Sequence, residues 1–349
     1  MKRKQQRLGT MAVAVATSLT LLLGSTPLFA APTSFGKWSS RTQTLNVSSS
    51  ADLSAWSSGA SKWKNSSNFQ VTAKLGVDAT YYATDIYNAK VDWDGNASYS
   101  TIGGTITKAT LNLNTYFTNQ TKYTSSIKAG VAAHEVGHSL GLNHTSVVET
   151  SSIMNPYTFT SSGTLNRPLS PASTDISVVN GLYPAFFMNN TPEEQPAAGT
   201  EGEEVIHMHP SWAVYYANEA ELAAAADLVI RGKVVESGQS FFRQDDATSY
   251  ATLSQIDVLD VVKGDAVQAN SPITVTQMGG TFGNLKVYAD GSTLLNEAQD
   301  VVLFLRDNGD GTYRPINQDD GIYVSTGGAF QNISNANPLH FSSFTDAER

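Results

Sequence analysis

The chain has 349 residues, a formal net charge of −9, 15% charged residues and no cysteine. An acidic balance argues against nucleic acid or an anionic membrane surface as a partner, since both reward basic patches. Without cysteine there is no disulfide framework, thiolate metal ligand, thiol nucleophile or lipid-modified anchor, so an ordinary hydrophobic core must hold the fold.

The first thirty residues read as an export signal that is removed. Lys2, Arg3, Lys4 and Arg7 make a basic start, Met11 to Leu23 is an apolar run shorter than a bilayer span, and small residues follow up to Ala30. No later segment has the length of a transmembrane helix, so the mature chain is expected to be secreted, extracellular and free of the membrane. Leu53, Trp56, Ala60 and Trp63 recur at helical spacing after the Ser-rich turn at residues 48–50, which predicts an amphipathic helix. Ala79 to Ile86 reads as a strand, and the alternation of residues 109–114 as a half-buried one. Between them, Asp92-Trp93-Asp94-Gly95-Asn96 reads as an exposed turn. It is oxygen-rich, but lacks the longer ligand pattern of a calcium loop. Ile127 to Leu140 predicts a second helix, and Ser170-Pro171 opens a third with Ile176, Val179 and Leu182 on one face. Irregular alternation of strands and helices around one core makes residues 31–188 an α+β domain with a mixed sheet.

Residues 189–210 are expected to be an acidic linker, because Asn189 to Glu204 is rich in Glu, Pro and Gly without apolar periodicity. His207 and His209 flank Met208 at its end. They read as a solvated linker end in preference to a metal-binding pair or a plug in an active site. Residues 211–349 are expected to be mainly β, a barrel or sandwich of unassigned role. After a short Ala-rich helix near Glu219 to Ala226, strand signals at 228–235, 250–262, 273–278 and 301–305 are separated by glycine turns. Asp307 to Gly311 resembles a calcium loop, and a hairpin turn explains it as well, so Ca2+ is possible but unsupported. Nothing in the pattern specifies an oligomeric state.

The chemistry is concentrated in His134-Glu135-Val136-Gly137-His138-Ser139-Leu140-Gly141-Leu142-Asn143-His144, which holds half of the chain's six histidines. His134 and His138 lie one helical turn apart on one face, so both imidazoles reach a single ion. Glu135 stands beside the first of them, placed as a general base. Gly141 permits a sharp turn that brings His144 back as a third ligand. At ordinary residue frequencies such a pattern arises by chance on the order of once in a hundred thousand chains of this size.

This motif resembles that of the metzincin metallopeptidases, and within them the matrixin-like branch of secreted bacterial type. Ser152-Ile153-Met154-Asn155-Pro156-Tyr157 follows ten residues after His144 at Met154, where the family has its Met-turn. Residues 169–183 are similar to the last helix of a matrixin catalytic domain, and Gly36-Lys37-Trp38 to its start. The resemblance implies one catalytic Zn2+ held by His134, His138 and His144, with Met154 beneath it and Pro156 and Tyr157 beside the scissile bond. It implies a secreted zinc endopeptidase acting on protein or peptide substrates. The latency cysteine of matrixins is missing, as is a histidine loop for a second zinc, so any latency must work another way. The competing expectation is an extracellular adhesion or binding protein led by its β-rich C-terminal part, with an accessory zinc site. The intact Glu135 speaks against it, because a structural zinc has no use for a general base.

Overall fold

The computed structural model describes residues 31–78, 80–185, 205–242, 250–334 and 340–341. The expected export signal and residues 189–204 of the expected linker lie outside the described residues. The first part of the chain runs β1 (Thr42–Val47), α1 (Leu53–Lys64), β2 (Gln70–Leu75), β3 (Tyr81–Ile86), β4 (Trp93–Ile102), β5 (Thr105–Asn114), α2 (Thr115–Thr118), α3 (Ser125–Ser139), β6 (Tyr157–Thr160) and α4 (Ser173–Leu182). The second part runs β7 (Val205–Tyr215), α5 (Glu219–Ala225), β8 (Leu228–Phe242), β9 (Tyr250–Lys263), β10 (Pro272–Met278), β11 (Gly280–Phe282), β12 (Leu285–Ala289), β13 (Asp300–Asp307), β14 (Thr312–Pro315), β15 (Ile322–Thr326), β16 (Ala329–Asn332) and β17 (His340–Phe341).

Two helices back the first sheet, α1 through one buried face and α3 with every residue from Ala129 to Ser139 buried. α1 buries Trp56, Gly59, Ala60 and Trp63. A Cβ at Gly59 would lie 2.8 Å from the Ala133 nitrogen, so glycine is what lets α1 close onto α3. Helix α3 is opened by Thr124, whose side chain accepts from the Ile127 N–H at 3.4 Å. Leu45, Leu111 and Leu113 of the sheet and Val131 and Val136 of α3 are all at most 1% exposed. Burial of each stabilises the fold by about 1.5–3 kcal/mol.

Strand order in this sheet is β11-β12-β7-β4-β5-β3-β1-β2, with β6 pairing β7 off the path. The α+β arrangement with a mixed sheet is the expected one, but its edge is not. Residues 205–210, assigned above to the linker, form the first half of β7, which pairs antiparallel with β4 and parallel with both β6 and β12. Residues 92–96 are likewise no exposed turn. Trp93 to Asn96 are buried in β4, clamped between β5 and β7. Turn-type composition lost there to strand pairing on both sides, which only the fold supplies.

The remaining strands form a second sheet, β14-β10-β9-β8-β13-β15-β16-β17, and an extra β13–β14 pairing closes five of them into a ring. A barrel is thus present, filled by Ile230, Ile256, Val275, Leu303 and Leu305. Leu222 of α5 packs outside it against Val229, Phe304 and Tyr323. Asp307 to Gly311 makes the expected hairpin turn, with positive φ at Gly309 and Gly311. Among the described residues, no helix is long and apolar enough to cross a membrane.

Candidate active site

His134 and His138 project from the last turns of α3, and His144 returns from the turn that follows. Their Nε2 atoms stand 3.0, 3.1 and 3.3 Å from one another. Nitrogens bound tetrahedrally at about 2.0–2.1 Å to one zinc ion lie roughly 3.3 Å apart, so this donor set fits zinc. Each ring is oriented through its other nitrogen. Nδ1 of His134 donates to the Ile153 carbonyl at 2.6 Å, and that of His138 to the Leu142 carbonyl at 2.7 Å. Nδ1 of His144 donates to Asp290 at 2.6 Å. These bonds hold the Nε2 lone pairs toward one point. Burial pushes all three imidazole pKa values down, which favours the neutral, metal-binding form.

The turn that returns His144 depends on Gly141. Its φ is +102°, and a Cβ there would overlap the Gly36 carbonyl oxygen. Met154 is fully buried against Gly137, the residue before His138, where a Cβ would meet its Sδ at 2.5 Å. The Met154 turn is fixed in turn by Asp175 of α4, which accepts from the Ser152 hydroxyl at 2.5 Å and the Ile153 N–H at 3.1 Å.

Glu135 is fully buried, and among the described residues neither of its carboxylate oxygens has a hydrogen-bond partner. Its pKa is driven well up, first by burial and then by Asp94, with the Arg167 guanidinium opposing. Arg167 is itself buried and donates to the Asn155 carbonyl at 2.8 Å, the Thr158 hydroxyl at 3.0 Å and the Ser211 hydroxyl at 2.6 Å. Gly95 of β4 lies directly against Glu135, where a Cβ would clash with the carboxylate. A proton acceptor beside three neutral imidazoles, with a guanidinium nearby, suits hydrolytic chemistry.

Residues 34–184 match the model of the matrixin family. The matched segment contains the three histidines, Glu135 and Met154, and the match supports a zinc-dependent metallopeptidase. Among solved structures, the chain is similar to high choriolytic enzyme 1, a hatching-enzyme zinc-protease from the medaka fish Oryzias latipes. The two are 12% identical, with 43% of this chain and 94% of that one covered, at a TM-score of 0.28. No curated protein matches.

The site is completed by Asp290, which reading the sequence did not single out, and by His209, which it placed at a solvated linker end. Asp290, just beyond β12, orients His144 from 146 positions away. The ligand atoms of His144, His209 and Asp290 lie within 4.8 Å of one another. Within that group, Nδ1 of His144 is hydrogen-bonded to Asp290. His209 is not at a solvated linker end but 4% exposed, stacked on His138 at 4.6 Å between ring centroids and hydrogen-bonded to Tyr99. Pro156 and Tyr157 also meet β7. The Pro156 carbonyl accepts from the Trp212 N–H at 2.8 Å, and the Tyr157 hydroxyl donates to Asp320 at 2.8 Å. Sequence spacing carried no signal for these partners, since every one bridges more than fifty positions.

Proposed function

We propose that the chain is a secreted zinc-dependent endopeptidase in which Glu135 is the general base. The observation that carries the reading is the convergence of three buried imidazole Nε2 atoms within 3.3 Å of one another, next to Glu135, whose buried carboxyl has no hydrogen-bond partner among the described residues. Zinc, when bound by His134, His138 and His144, supplies Lewis acidity: it polarises a carbonyl and makes water acidic enough to ionise near neutral pH. Glu135 takes the proton of the attacking water as its oxygen bonds to the scissile carbonyl carbon. It then passes that proton to the departing nitrogen as the C–N bond breaks. Main-chain groups of β4 and the Pro156 carbonyl hold the peptide extended across Glu135. Residues 2–30 support export.

The test is zinc content together with cleavage of casein and gelatin. One ion per chain is expected, and cleavage, read in the intact chain and in forms whose cleft has been opened, should be lost to a chelator and restored by zinc. Glu135→Ala should keep the ion and lose the cleavage. A chain without stoichiometric zinc, or cleavage indifferent to Glu135→Ala, overturns the reading.

A further inference from the structure

Strand β7 fills the space between β4 and β6, on the side of β4 where Gly95 abuts Glu135. Strand β7 runs antiparallel to β4 from Trp93↔Trp212 to Thr101↔Val205, and parallel to β6 from Tyr157↔Trp212 to Thr160↔Tyr215. Ser211 stands opposite Gly95, the residue that abuts Glu135. The side chains of β7 alternate accordingly. His209 lies on His138, and Ser211 enters the domain to bond Arg167 at 2.6 Å and Asp94 at 3.0 Å. Met208 and Trp212 turn the other way, into a cluster with Trp93, Tyr157, Met278 and Val287. The main chain between His209 and Ser211 therefore crosses the His138–Glu135 pair, and residues 208–213 are buried throughout. A cavity of about 600 Å³ opens beside His144, lined also by Thr33, His207 and Tyr288, but neither His134, His138 nor Glu135 lines it.

We propose that β7 is a substrate mimic held in the peptidase cleft by the C-terminal part of the chain, so that the intact protein is latent. The inference rests on the endopeptidase reading for what the cleft does, but not for what fills it. Anchorage on the far side comes from β12, which pairs with β7 from Lys286↔Val205 to Ala289↔Met208, and from Asp320, which holds Tyr157. No peptide can pair with β4 while β7 does, because a strand offers each edge once. A segment tethered at an effective concentration of order millimolar outcompetes a micromolar peptide of like affinity by about 10²–10³-fold. The cleft thus selects an extended peptide with a small polar side chain, as Ser211 has, at the position beside Arg167 and Asp94. The barrel then acts as the restraint that must yield before such a peptide enters.

The test uses the full mature chain with its zinc content measured, beside Ala213→Pro and Ser211→Arg. Ala213→Pro removes the N–H that donates to the Asp92 carbonyl at 3.0 Å. Ser211→Arg sets a second cation against Arg167. Hydrogen exchange and the affinity of a small hydroxamate zinc ligand, by calorimetry, are the readouts. In the parent, residues 93–101 and 205–215 should exchange slowly together, and the hydroxamate should bind roughly 10²-fold more weakly than to either variant. In the variants both strands should lose protection while α3 keeps it. Should Ala213→Pro fail to fold, Ser211→Arg carries the comparison. Equal hydroxamate affinity in all three forms at full zinc occupancy would overturn latency and leave the peptidase reading intact. So would free exchange of residues 205–215 in the parent. Absence of zinc from every form would sink the peptidase reading, and the exchange data alone would then decide whether β7 fills the cleft.

Discussion

Within residues 125–155, the groups that build the metal point are near neighbours in sequence: His134 reaches the Ile153 carbonyl 19 positions on, and His138 the Leu142 carbonyl 4 positions on. The groups that close the cleft come from far along the chain. Ser211 meets Asp94 across 117 positions, and Tyr157 meets Asp320 across 163. Ligand geometry of the first kind forms wherever the helix and its turn form. Occlusion of the second kind forms only when the barrel docks, so the two can be broken separately.

The largest effect should come from the local set. Glu135→Ala is expected to lower kcat/KM by roughly 10²–10⁴-fold with zinc retained, read in a form whose cleft has been opened. Met154→Ala removes a fully buried side chain from beneath α3, and should destabilise the matrixin domain by about 2–5 kcal/mol in chemical unfolding. Asp290→Ala tests whether the distant part contributes to the metal itself. Loss of the carboxylate that orients His144 should weaken zinc binding about 10–100-fold in chelator competition. An unchanged affinity there would make the local set self-sufficient.

A further effect concerns pH. Burial pushes the Asp320 carboxyl, which accepts from Tyr157, up to about 7. Between the ordinary carboxylate value and about 7, the folded chain holds a proton that the unfolded chain has lost. Stability should therefore fall as pH rises through that window, by at most about 1.4 kcal/mol per pH unit, and level off above it. Asp320→Asn should flatten that part of the slope in urea midpoints measured against pH. A slope unchanged by the substitution would remove Asp320 from the account.

The ligand helix, the Gly141 turn and the Met154 turn were legible because their information is local. The i, i+4 histidines share a helix face by geometry alone, and glycine at φ +102° is demanded by the turn itself. Elements with strong periodicity were legible too: α1 from its tryptophans, β5 from its alternation, β9 and β10 from their β-branched runs. Strands β4 and β7 were not. Asp92-Trp93-Asp94-Gly95-Asn96 has the composition of a turn, and Val205 to Trp212 directly follows an acidic Pro- and Gly-containing stretch. Both are strands because each has the other as a neighbour, and neither carries that fact in its own residues.

By itself, then, the sequence determined the His134, His138 and His144 constellation, the place of Glu135 beside it and the likeness of residues 34–184 to the matrixin model, because helix periodicity and backbone sterics act over a few residues. Only the tertiary structure decided what lies across the cleft, which carboxylate steadies His144, and where one part of the chain ends and the next begins. Those outcomes depend on strand pairing and burial between segments over a hundred positions apart, which become neighbours only once the chain has folded.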